Sequence, residues 1–424
     1  LRIYTGNGKQ DVKDSRRDFL QIGSLMLGSL TLPQLLHARA ENVNFVKDKS
    51  VVLLYLSGGA SQIETFDPKM AAPAEIRSVN GEVSTSLSGV TFGATLQKLA
   101  RRARQMSVIR SHNHSVGAHE QAHVHVLTGG TDPSGGGKTG FGMGALYARL
   151  RGANHPETGI PTNCLLTAPE IDGQYRKELA RVRKGSRPLE LGASYAPFEP
   201  GGNSSALNNM KLTLQAQRFD DRRSLLTSLD SWKRRVDGLR QVQGVDRFNQ
   251  QAVDLLTGGA VDAIDLTRED PAVLAKYDTS EMRIGFKQFR PSMLGHKMLM
   301  ARRLCEAGAG FVTVHSAGWD MHADGNNPGM QQGMAMLGTT MDHAVSAFLD
   351  DVAARGLSEK ILLVITGDFG RTPRVNKKGG RDHWAKLGTL AFAGGGLNMG
   401  QVIGQSDRQA AQPMTSPYTT SHLM

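Results

Sequence analysis

The sequence predicts an α/β protein with a mostly parallel central sheet flanked by helices, and three observations predict it. Short apolar runs rich in β-branched residues recur at 51–56, 310–315 and 361–365. Each is too short for a free helix and has the length of a strand buried on both faces. Helical patterns stand at 291–307 and at about 329–355, so 291–366 alternates helix, strand, helix, strand. That alternation implies right-handed crossovers and parallel strands. Finally, carboxylates and imidazoles stand just past the apolar runs, where the loops at the carboxyl ends of parallel strands form a ligand crevice.

The chain has 424 residues, 39% apolar and 21% charged, enough for one large domain or two smaller ones. Residues 1–40 read as a cleavable leader. Arg16 and Arg17 form a twin-arginine motif with Ser15, Asp18, Phe19 and Leu20; an apolar run over 22–36 comes next, and Ala38, Arg39 and Ala40 give a small-x-small cleavage site. The expected destination is the periplasm or the exterior. No other apolar run approaches membrane-spanning length, so the mature chain is expected to have no transmembrane segment.

The net charge is +11, and the leader's six basic and three acidic residues leave residues 41–424 at +8. The basic residues are dispersed and do not interleave with aromatics, which argues against nucleic acid and fits an anionic small molecule or polymer. The sequence leaves the oligomeric state open. Cys164 and Cys305 stand in apolar surroundings and are expected to be buried free thiols.

In chain order, 51–56 is the first core strand, with a turn after it at Ser57, Gly58, Gly59, Ala60 and Ser61. Residues 95–106 read as helix and 107–110 as a short strand. The next segment holds His112, His114, His119, His123 and His125. His119 and His123 are spaced i, i+4, which puts two imidazoles on one helix face, either as ligands or as a packed or surface pair. The glycine-rich stretch 131–145 is not a phosphate loop, because Asp132 stands where that pattern needs glycine and no apolar strand leads in. Residues 172–288 change to charge-paired helical patterns, expected to form a helical insertion or cap between core segments 41–171 and 289–424. The last core strand is expected at 387–392, running into Gly394, Gly395 and Gly396.

Glu64 comes after the first strand, Asp320 and His322 after the strand at 311–315, and Asp368 after 361–365; His383 returns on the next loop. If the strands are parallel, these residues share one edge of one sheet. Convergence of Asp, Glu and His from separate loops is how metal-dependent hydrolytic sites are built. His119 and His123 are additional candidates.

Together the leader, LSGGASQIETFDPK, IRSHNH, LTGG, GWDMH, ITGDFGRTP and GRDHW resemble a large exported bacterial family of unknown function. That family is placed beside the sulfatases in the alkaline-phosphatase-like superfamily, and the resemblance spans roughly residues 15–424. It implies an alkaline-phosphatase-like sandwich and metal-dependent hydrolysis of phosphate or sulfate esters. By position, Asp320 and His322 match the superfamily's mid-chain Asp/His pair, Asp368 its Asp after the penultimate core strand, and His383 its late His. Zinc, calcium or magnesium would be the metal. Three departures stand out. The first strand ends in Ser57-Gly58-Gly59 with no Asp, leaving Glu64 as the substitute. Phe369 stands where many members have His. Thr65 and Ser61 are the candidate nucleophiles, with no diagnostic motif around either. Arg371 or Arg110 could clamp an anion. The competing reading is a non-catalytic binding or assembly protein on a degenerate hydrolase fold. The closing SPYTTSHLM resembles a point where family members continue into a last helix, so the natural C-terminus is expected further on.

Overall fold

A computed structural model describes residues 48–167, 172–200 and 260–424. The leader with Arg16 and Arg17, and the 201–259 part of the expected helical insertion, lie outside the described residues. Residues 49–423 form one compact unit. At its centre is a seven-stranded sheet. In chain order its strands are β1 (Ser50–Leu56), β2 (Met106–Ile109), β3 (Asn163–Leu166), β4 (Phe311–Ser316), β5 (Ile361–Gly367), β6 (Leu390–Gly394) and β7 (Gln401–Ile403). Their spatial order is β7-β2-β6-β5-β1-β4-β3.

The sheet is mixed α/β and mostly parallel, as the apolar runs predict. β1 pairs in parallel with β5 and β4, β4 with β3, and β2 with β7, while β6 is antiparallel to both neighbours, β5 and β2. Two reversals restore the direction, so β2 runs the same way as β1. The expected strand at 387–392 therefore begins three residues later and runs backwards, a reversal that an apolar pattern of period two cannot encode.

Among the described helices that pack against the sheet or present residues at its edge are α1 (His119–Leu127), α2 (Leu294–Glu306) and α3 (Thr339–Ala354). On β1, Val52, Leu54 and Leu56 share one core with Met298 and Leu304 of α2 and Val345 and Phe348 of α3. Each such fully buried side chain contributes about 1.5–3 kcal/mol relative to exposure. Tyr55, on the alternate face, instead reaches His123 of α1. β1 is thus covered on both sides, which is why its sequence is continuously apolar.

The helix expected at about 329–355 is two helices, Met330–Gly333 and α3, joined through a π turn at Met334–Gly338. All five side chains expected on its inner face (Met334, Leu337, Met341, Val345 and Phe348) are buried. Among the described residues of 172–288 no strand joins the central sheet. Their last part is tied to α2 and α3 through Arg302, which is 1% exposed and pairs with Glu269, Glu306 and Asp351. Burial opposes ionisation of Glu269, but the guanidiniums of Arg303 and Arg302 outweigh it and hold its pKa at about 2. Cys164 and Cys305 are buried free thiols. No helix among the described residues is long and apolar enough to cross a membrane.

Buried Asp132 organises the glycine-rich loop, its carboxylate accepting from Ser134 Oγ (2.8 Å), Gly136 N (3.3 Å) and Gly137 N (2.7 Å). Amide groups that could cradle a phosphate are thereby taken by a side chain of the same loop.

Candidate metal centre

The register of the sheet sets the site. Leu56 of β1 is level with Gly367 of β5 and with Ser316 of β4. The chains beyond these residues, carrying Ser57-Gly58-Gly59, Gly318 to His322 and Asp368, therefore leave the sheet side by side. β2 points the same way, and its exit loop leads to α1, whose first turn carries His119. His383 arrives on a two-residue antiparallel ladder that pairs Gly370–Arg371 with His383–Trp384.

Two glycines allow these loops to close on one another. Gly58 has φ +105°, and a Cβ there would lie 2.5 Å from the Asp320 backbone nitrogen. Gly59 has φ +85°, and a Cβ would lie 2.9 Å from Phe369. The turn after β1 brings no carboxylate of its own; the absent side chains let the 320 and 369 loops approach instead.

Ligand-type atoms of His119, Asp320, His322 and His383 all lie within 4.8 Å of one another. Asp320 Oδ1 is 2.9 Å from His322 Nε2, 3.3 Å from His119 Nε2 and 3.5 Å from His383 Nε2. The Nε2 atoms of His322 and His383 are 2.8 Å apart. Donor atoms about 2.0–2.1 Å from a common zinc ion in a tetrahedral shell would be separated by roughly 3.3 Å, so this spacing fits one ion among four donors. His119 Nε2 is buried and makes no hydrogen bond among the described residues. Its polar neighbour is Asp320 Oδ1 at 3.3 Å, and a cation between the two atoms would satisfy both.

The far nitrogens of two of these imidazoles are held by carboxylates. His119 Nδ1 meets Asp368 Oδ2, and His322 Nδ1 lies 3.0 Å from Asp382 Oδ1. A carboxylate on one ring nitrogen fixes the proton there and turns the other lone pair inward, the usual outer layer of a histidine metal site. Asp368 is itself held, its Oδ1 accepting from Gly58 N at 3.0 Å. His123, Asp368 and His119 form a second group of ligand-type atoms. There the His119 nitrogen is already engaged by Asp368. His123 Nδ1 is 3.1 Å from the Tyr55 hydroxyl, and its Nε2 lies 3.5 Å from Asp368 Oδ2. Phe369, the residue after Asp368, has its ring centroid 4.7 Å from that of His119 and 4.6 Å from that of His383. It is an apolar wall behind two imidazoles.

The acids and imidazoles of the cluster shift one another's titration. Burial pulls the His119 pKa down, but Asp368 and Asp320 outweigh it and raise it to about 9. Burial likewise opposes ionisation of Asp320, and His119, His322, His383 and Arg371 together hold it well below the usual carboxylate range. Asp368 is depressed despite burial by His123 and His119. Burial lowers His123 to about 4. Behind the loop, Glu178 accepts from Gly318 N at 3.1 Å, and its pKa is pushed up to about 8, first by burial and then by the charges of Asp320 and Asp368.

Other expected site residues fall elsewhere. Glu64 is fully buried in an ion pair with equally buried Arg381 (3.0 Å) and also binds Ser78 and Asn80. Thr65 Oγ1 donates to Ser61 O (2.8 Å) and lies 3.1 Å from Thr389 Oγ1, while Ser61 Oγ accepts from Glu64 N at 3.4 Å. Both hydroxyls are buried and face their own turn. Arg371 does reach the cluster, 2.5 Å from Asp320 Oδ1 and with Nη1 3.4 Å from His322 Nε2, and its other donors go to the carbonyls of Gly58, Gly59 and Arg381. It braces Asp320 and has no donor left over for an anion. Arg110 donates to Phe66 O and Thr91 O. Of the remaining histidines, His112, His114 and His125 bond to Tyr418 O, Asp368 O and Thr420 Oγ1.

A profile described as "Protein of unknown function (DUF1501)" matches residues 48–424. No curated protein matches the sequence. Similar solved structures include alkaline phosphatase from the Antarctic bacterium TAB5, at 12% identity, covering 84% of this chain and 94% of that one with a TM-score of 0.36. Ps i-CgsB in complex with k-i-k-neocarrahexaose is 8% identical, covering 89% and 70%, with a TM-score of 0.36. PsFucS1 sulfatase from Pseudoalteromonas sp. is 11% identical, covering 89% and 69%, with a TM-score of 0.33. At these scores the likenesses carry no argument about this chain.

Proposed function

We propose, for a chain that belongs to the DUF1501 family of proteins of unknown function, that it is an exported, metal-dependent hydrolase of phosphate or sulfate esters. One divalent ion would be held by His119, Asp320, His322 and His383. The observation that carries this reading is the convergence of those four donors with one side open: their side chains are 11%, 17%, 19% and 30% exposed. Three imidazoles and one carboxylate suit zinc or another transition metal, whereas calcium and magnesium want oxygen donors.

When bound, such an ion polarises an ester oxygen and acidifies a water. The chain's own residues do the rest. Asp368 and Asp382 hold protons on the outer nitrogens of His119 and His322. Arg371 neutralises and fixes Asp320. Phe369 excludes water from the rear of the imidazoles. The buried, committed state of Thr65 and Ser61 favours water over a side-chain nucleophile. The same observation gives the second reading its support, a metal-holding binding or assembly protein without turnover.

Asp368→Asn keeps the shape of the orienting side chain and removes its charge. It is expected to lower metal affinity roughly 10–100-fold and to lower kcat/KM on 4-nitrophenyl phosphate or 4-nitrophenyl sulfate in step. Wild-type protein that loads metal but turns over neither ester would support the non-catalytic reading instead.

A further inference from the structure

Beside the donor cluster lies an open depression lined by His322, Asp324, Asn376, Lys377, Lys378 and Asp382. Both lysines are exposed, and neither ammonium has a hydrogen-bonding or ion-pairing partner among the described residues. The Oδ1 atom of each acid on the same wall is taken by other donors. Asp324 Oδ1 accepts from Asn326 N (2.7 Å) and Asn327 N (2.9 Å), and Asp382 Oδ1 from His322 Nδ1 and Asn376 Nδ2 (3.3 Å).

The loop that presents the lysines is held in place. Asn376 N donates to Gly380 O at 2.7 Å, and Asn376 Oδ1 accepts from Lys378 N and Gly380 N, both at 3.0 Å. Gly379, with φ +86°, closes the turn, and its carbonyl accepts from Met330 N at 3.0 Å. Asn376 Nδ2 also donates to the backbone oxygen of His322 at 2.9 Å. One asparagine therefore ties the lysine loop to a residue of the donor cluster. A fixed loop backbone that presents two exposed lysines beside an ester site, with one oxygen of each neighbouring acid engaged elsewhere, suits a ligand anion. Lysine serves such a group as a point charge.

We propose that Lys377 and Lys378 bind a second anionic group of the substrate, so that the esters taken by this protein carry at least two anionic groups. One would face the donor cluster and the other the lysines. This rests on the metal reading above and adds the substrate class to it. Arg371, in contact with the donors, is committed to Asp320, His322 Nε2 and backbone carbonyls, whereas Lys377 and Lys378 line the depression with their ammonium groups exposed.

The test uses metal-loaded protein and isothermal titration calorimetry with glucose 1,6-bisphosphate and glucose 1-phosphate as probes. Wild type is expected to bind the bisphosphate about fivefold to tenfold more tightly, as two exposed charge pairs allow. The double variant Lys377→Gln/Lys378→Gln is expected to lose that preference while binding the monophosphate within about twofold of wild type. Raising salt to about 1 M should erase the preference in wild type, since the Debye length falls to roughly 3 Å. A wild-type protein with no preference, or a variant that keeps it or loses both ligands equally, overturns the inference. Elemental analysis of the same samples separates the two failures. Protein that cannot be loaded sinks the metal reading, whereas loaded protein with lysine-independent binding sinks only this one.

Discussion

Asp320→Ala is expected to empty the metal centre. Asp320 Oδ1 is the atom on which the site converges, within 3.5 Å of three imidazole nitrogens and 2.5 Å from the Arg371 guanidinium. Loss of an outer carboxylate from a histidine site costs roughly 10–100-fold in affinity, so loss of a direct ligand should exceed about 100-fold. The same change leaves Arg371, which is 0% exposed, without its only carboxylate partner among the described residues. Removing one partner from a buried pair costs about 3–5 kcal/mol. Asp320 is 17% exposed, which puts the expected loss of stability toward the lower end of that range. Asp320→Asn keeps a hydrogen-bond acceptor for Arg371 and separates the two effects. It should recover part of the stability and little of the metal. Denaturant unfolding and elemental analysis on both variants read the two quantities independently.

Glu64→Ala is expected to do the reverse, destabilising the fold by roughly 3–5 kcal/mol while leaving metal content nearly unchanged in the protein that remains folded. Glu64 and Arg381 are both 0% exposed and 3.0 Å apart. Without Glu64, Arg381 keeps the carbonyls of Ile76, Arg77 and Thr372 but has no countercharge. Burial already lowers the Arg381 pKa, with Glu64 the charge that opposes it. Because Arg381 precedes Asp382 and His383, the pair also anchors the loop that carries a donor, so a small loss of metal affinity should accompany the loss of stability. Glu64→Gln, which preserves the hydrogen bonds, should cost less. Loss of all metal in a well-folded Glu64→Gln protein would return Glu64 to the ligand set.

The contrast between Asp320 and Glu64 marks how far the residues alone can be read. The apolar runs at β1, β4 and β5 fix parallel strands, and parallel strands fix which loops meet. Asp320, His322, Asp368 and His383 were therefore legible as neighbours, and the i, i+4 spacing of His119 and His123 as one helix face. The division of labour among them was not. Asp368 stands at a ligand's position in sequence, yet its Oδ2 takes the His119 ring nitrogen, a choice made by a helix 249 residues earlier. Glu64 looks like a substitute ligand until its partner is seen to be Arg381, 317 residues away. No local pattern announces such a pairing. Glu178 sits in a charge-paired helix, where nothing separates a buried carboxyl from a solvated one. The reversal of β6 and the π turn before α3 depend on the path of the chain, which hydrophobic period does not report.

The most direct measurement is the metal content of the purified protein after loading with zinc and exhaustive dialysis. About one tightly held divalent ion per chain is expected, with an X-ray absorption spectrum showing imidazole scattering and nitrogen and oxygen neighbours at roughly 2.0–2.2 Å. The triple variant His119→Ala/His322→Ala/His383→Ala should retain none. A wild-type protein that holds no ion after loading, or a triple variant that holds as much as wild type, would contradict a metal centre at these residues.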